Sequence, residues 1–137
     1  MAIPIRYQTA PTLDDIEMIA RQAYETIPNV LRRYAEDVIL HIEDFPDHEI
    51  EKEMGLENRM ELLGLYQGVS LSQKSLGDVS GDQDRIFLYR RPILDYWAES
   101  GESLPHIVRH VLIHEIGHHF GLSDDDMAAI EKALTVD

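Results

Sequence analysis

His114-Glu115-Ile116-Gly117-His118-His119-Phe120-Gly121-Leu122-Ser123-Asp124 is the stretch on which the reading of this 137-residue chain turns. His114 and His118 are four residues apart, so a helix stacks them one turn apart on one face. Two imidazoles so placed can reach one metal ion at about 2.0–2.1 Å. Glu115 lies about 100° further round the helix, outside the ligand set but within reach of a water held by that ion, where a carboxylate acts as general base. Gly121 takes a positive φ without strain and is suited to ending the helix. A sharp turn there returns the chain toward the histidines and lets Asp124 offer a third ligand. Two neutral imidazoles, a carboxylate and water form a four-coordinate zinc site with one open position.

The bland alternative makes His114 and His118 ordinary surface or core histidines and has Asp124 merely cap a final helix. Ser123-Asp124-Asp125-Asp126 does read as a helix start, with Ser at the cap and an acid three residues later. On a helical wheel, Leu104, Ile107, Val108, Val111, Leu112 and Ile116 fill one apolar arc, and Glu115 falls inside it. A purely solvent-facing helix has no reason to place a glutamate there. His106 and His110 continue the four-residue spacing. His110 reads as a solvent-facing residue at the helix edge, the alternative being an outer hydrogen-bond donor to the metal ligands. His119, about 140° from His114, reads as packing.

Upstream, Thr12 is a candidate cap for a helix whose apolar residues fall at Leu13, Ile16, Ile19, Ala20, Ala23, Tyr24 and Ile27. Pro28 opens a second short helix through Val30, Leu31 and Tyr34. Val38 to Glu43, Leu62 to Gly68 and Arg85 to Arg90 read as three strands. A short surface helix ending at Gly55 separates the first two, and residues 70–83 read as a long loop. Pro92 starts another helix, ended by Gly101; Ser123 to Leu134 form the last. The expectation is one α+β domain over residues 1–137.

With 12 Lys plus Arg against 26 Asp plus Glu, the net charge is -14. Residues 36–61 hold ten acidic and two basic side chains, read first as a solvated surface and second as a rim favouring neutral or basic substrates. Such a charge disfavours nucleic acid and anionic membrane surfaces. The absence of cysteine removes disulfides, thiolate metal ligands and cysteine nucleophiles. No signal-peptide pattern precedes Tyr7, and no window approaches the ~18 apolar residues of a spanning helix. A soluble cytoplasmic protein is expected, with a monomer compatible and the oligomeric state open.

The HExxHxxGxxD string resembles the short bacterial minimal-metalloprotease-like members of the zincin superfamily of zinc metallopeptidases. Glu43-Asp44-Phe45-Pro46, Leu63 to Gly68 and Arg85 to Ile93 are similar to that family in order and spacing, so the resemblance covers roughly residues 12–135. It implies a compact zincin-like α+β domain, with a small twisted mixed sheet packed against the motif helix and an N-terminal helix. The metal then sits beside an edge strand. It further implies Zn2+ as cofactor, His114, His118 and Asp124 as its ligands, and Glu115 as general base. The chain departs from the metzincins: Asp124 stands in place of a third histidine, and their downstream methionine turn has no counterpart. Met127 is expected in the core. A thermolysin-like arrangement would instead use Glu131, which the short turn at Gly121 disfavours.

Two functions compete. In the first, a zinc-dependent endopeptidase, Glu115 takes a proton from water and passes it to the leaving amine while the substrate, a peptide or protein, pairs along an edge strand near Tyr66 or Leu88. Tyr66 and Tyr89 are weak candidates for oxyanion contacts. In the second, the same ligands stabilise a binding module with little or no peptidase activity. A third class, metal-dependent RNA processing, is disfavoured by the charge. Two histidines and a carboxylate also suit non-haem iron, but HExxH on one helix favours zinc.

Overall fold

In the computed structural model, residues 9–68 and 84–135 are described. The expected loop at 70–83 lies outside them. The architecture is mixed α+β: among the described residues, six α-helices and one short 3-10 turn surround a three-stranded sheet. In chain order these are α1 (Leu13–Thr26), α2 (Asn29–Arg32), a 3-10 turn (Arg33–Ala35), β1 (Ile39–Glu43), α3 (His48–Glu53), β2 (Gly64–Gln67), β3 (Arg85–Tyr89), α4 (Arg90–Ser100), α5 (Leu104–His119) and α6 (Asp124–Thr135).

Local chemistry sets the helix starts. Thr12 and Asp15 form a reciprocal capping box at α1, at 3.1 and 2.9 Å. Ser103 accepts from the His106 N–H at α5, and Pro105 occupies its first turn, where a missing N–H costs nothing. One boundary moved. The helix expected from Pro92 begins at Arg90, directly on the end of β3, leaving no connecting loop.

The sheet order is β1-β3-β2. β1 runs parallel to β3 from Ile39↔Arg85 to Glu43↔Tyr89, and β2 runs antiparallel from Gly64↔Leu88 to Gln67↔Arg85. Strand alternation puts Leu40, Ile42, Tyr66, Ile86 and Leu88 on the face that α1 and α5 cover. Ile16, Ala20 and Ala23 of α1 meet Leu104, Ile107, Val108, Val111, Leu112, Ile113 and Ile116 of α5 in one continuous core. Each such fully buried aliphatic side chain contributes about 1.5–3 kcal/mol. This burial fixes the rotation of α5 and leaves His106, His110, His114 and His118 along its uncovered side.

β3 is the central strand, so Leu88 cannot seat a pairing peptide. Among the described residues β2 is an edge, and it packs beside α5. The Tyr89 N–H bonds to Leu63 O at 2.9 Å, and alternation from that pair turns the backbone groups of Gly64 and Tyr66 away from β3. Gly64 permits this closeness. A Cβ there would meet Val111 Cγ1 at 2.5 Å and Phe87 O at 3.0 Å. No helix among the described residues is long and apolar enough to cross a membrane.

Candidate metal centre

The end of α5 is a Schellman turn. Leu122 N bonds to Gly117 O at 2.9 Å and Gly121 N to His118 O at 3.2 Å, with Gly121 at φ 80°. Ser123 follows immediately and caps α6 in a reciprocal box with Asp126, at 3.0 and 3.2 Å. Capping is therefore done by Ser123 and Asp126, and the Asp124 carboxylate is not spent on it. Asp124 Oδ1 lies 3.2 Å from His118 Nε2.

His114, His118 and Asp124 offer donor atoms all within 4.8 Å of one another. The imidazole rings of His114 and His118 are edge-on, centroids 5.6 Å apart. Two imidazoles and a carboxylate gathered in this way are a donor set that suits zinc. His114 is held toward its neutral form, chiefly by burial and secondarily by His110; Glu131 opposes this. A neutral ring is the form that ligates.

Glu115 points off the ligand face, as the wheel requires. Its Oε1 accepts the Tyr66 N–H at 3.1 Å, joining α5 to the edge strand. Burial raises its carboxyl above the ordinary glutamate range, while the Tyr66 N–H and nearby His118 pull the other way. Tyr66 itself serves through its backbone. Its hydroxyl donates to Asp84 Oδ2 at 2.9 Å, and its ring stacks on His119 at 3.9 Å between centroids. Desolvation and Asp84 together raise that phenol well above its usual range. Tyr89 is fully buried, with its ring on Phe87. Neither phenol is presented to a substrate, and His119 is the packing residue expected.

Met127, fully buried, sits beneath Gly117, one residue before His118. It belongs to the core, as its spacing suggested. His110 is exposed at the helix edge, as its position suggested, but its pairing with Glu131 was not foreseen. His110 Nδ1 lies 2.6 Å from Glu131 Oε1, and His114 Nε2 lies 3.5 Å from Glu131 Oε2. Glu131 is four residues after Met127, hence on the same inward face of α6. That spacing was the available signal. A cavity of about 310 Å³ bounded by Ala20, Tyr24, Ala35, Leu40 and Leu112 lies apart from these histidines.

A family model described as zincin-like metallopeptidase matches residues 35–134. The chain belongs to that family, and membership implies a zinc-binding ligand set. No curated protein matches the chain.

Proposed function

We propose that this protein is a zinc-dependent peptidase in which His114, His118 and Asp124 hold the ion and Glu115 is the general base. One observation carries the reading: the Glu115 carboxylate stands on the helical turn between the two histidines and touches the β2 edge through the Tyr66 N–H. A base in that position lies between the ion and the strand along which a peptide would run. Zinc, when bound, would supply Lewis acidity to the scissile carbonyl and acidify water. Glu115 accepts the proton of the attacking water and returns it to the leaving amine. Its raised affinity for protons in a half-buried setting suits both transfers. β2 orients the substrate through the outward N–H and C=O of Gly64 and the outward C=O of Tyr66, the Tyr66 N–H being held by Glu115, so pairing is by main chain and makes little demand on side-chain identity. The charge of -14 favours neutral or basic peptides.

The test is Glu115→Gln, assayed with a peptide library at fixed zinc. Zinc content should be unchanged and cleavage should fall by about 10²–10⁴-fold. Full cleavage by the variant would overturn the assignment. Wild-type protein that cleaves nothing, yet loses its melting transition on chelation, would favour a zinc-stabilised binding module instead.

A further inference from the structure

Two triads meet at one histidine. His114 belongs both to the group with His118 and Asp124 and to a group with His110 and Glu131, whose donor atoms also lie within 4.8 Å of one another. The second group has the more sheltered carboxylate, although its His110 side chain is 49% exposed. The Glu131 side chain is 16% exposed and is already contacted by both histidines, whereas the side chains of Asp124 and His118 are 85% and 55% exposed. The rings of His110 and His114 lie with centroids 4.0 Å apart, inclined by 32°. α6 supplies both carboxylates, Asp124 from its first turn and Glu131 from seven residues further on, so they flank His114 from its two ends.

We propose that His110, His114 and Glu131 form a second locus for a divalent transition metal, competing with the first through His114. A neutral imidazole has one free lone pair, its other nitrogen carrying the proton, so His114 serves one ion at a time. An ion held by His110, His114 and Glu131 leaves His118 and Asp124 without their shared partner. This locus is a resting position, displaced by about one helical turn from the place where Glu115 is useful. Two of its three donors are prearranged around a largely buried carboxylate, so the ordering cost of binding is smaller than at Asp124. The inference rests on the preceding reading only in taking His118 and Asp124 as the alternative ligands.

The experiment is equilibrium dialysis against buffered zinc at pH 7.5, using wild type, Asp124→Ala, Asp124→Ala/His110→Ala and Asp124→Ala/Glu131→Gln, with folding checked by circular dichroism. The single variant should still take up one equivalent of zinc. Adding His110→Ala or Glu131→Gln should weaken that residual binding by about tenfold or more, since losing even an outer partner of a ligand costs about 10–100-fold. Cobalt(II) should give different visible spectra in Asp124→Ala and His110→Ala. Folded Asp124→Ala that takes up no zinc, or residual binding indifferent to both second substitutions, overturns the second locus and leaves the first intact. Full peptide cleavage by both Asp124→Ala and His118→Ala would instead overturn the His114–His118–Asp124 assignment and leave the second locus standing.

Discussion

Gly117→Ala tests whether the packing of α6 on α5 positions the candidate centre. A methyl group on Gly117 would overlap the Met127 sulfur and stand 2.9 Å from its Cγ, with Leu122 Cδ1 at 3.5 Å. Ordinary contact begins at 3.4 Å, so the methylene must retreat by at least 0.5 Å and the sulfur by more. Met127 is 0% exposed and has no solvent to retreat into. Overpacking of this kind costs about 1–3 kcal/mol, and the better helix propensity of alanine returns about 0.8–1.0 kcal/mol. The net expectation is a loss of about 0–2 kcal/mol, a fall in Tm of roughly 4 °C per kcal/mol lost for a chain of this size. Because Met127 and Asp124 share α6, the displacement also carries Asp124 from His118, and zinc affinity should fall with stability. Thermal unfolding in chelator measures the first effect and zinc dialysis the second. Met127→Ala supplies the cycle: alone it should cost about 2–5 kcal/mol, and less when the Gly117 methyl fills part of the gap. A raised Tm with unchanged zinc binding, or strict additivity in the cycle, would refute the reasoning.

Glu115→Gln should also change how apo stability depends on pH. Burial raises the Glu115 carboxyl, so its contribution is fully present below the ordinary glutamate range and is lost as pH rises through the raised native value. Urea midpoints in chelator should therefore decline less between pH 4 and 8 in the variant; an identical pH slope would contradict the assignment. Gly64→Ala should lower stability by about 1–3 kcal/mol, because Phe87 O is backbone and Val111 is buried. An unchanged melting curve would remove the close approach of β2 to α5. Thr12→Ala should cost about 1 kcal/mol through the lost cap while leaving zinc affinity at its wild-type value, which dialysis would check.

The motif helix was legible because several signals coincide in it. The apolar arc from Leu104 to Ile116, the cap at Ser103 and the turn at Gly121 all specify one helix in one orientation. β1 and β3 were legible as short runs rich in β-branched or aromatic residues, and β2 as a leucine and tyrosine run punctuated by glycine. Their pairing was not. Nothing in Ile39–Glu43 states that it runs parallel to Arg85–Tyr89, because that depends on a crossover through α3 and β2. The choice between the stretches around Tyr66 and Leu88 therefore waited on the sheet order. His110 and Glu131 were hidden for a different reason: their proximity depends on how closely α6 docks, and that is decided by the missing side chain at Gly117. The partner of Glu115 is a backbone N–H, which carries no side-chain signature at all.

That last bond bears on self-association. A sheet edge invites another chain to pair with it, and proteins usually blunt such edges with lysine, proline or a bulge. β2 uses none of these. It is four residues long, and the outward N–H of Tyr66 is already taken by Glu115. Replacing that glutamate by alanine thus does more than remove a carboxylate. It leaves the outward N–H of Tyr66 without its acceptor at the sheet edge, so Glu115→Ala should self-associate more than wild type at equal concentration, a difference that sedimentation reads.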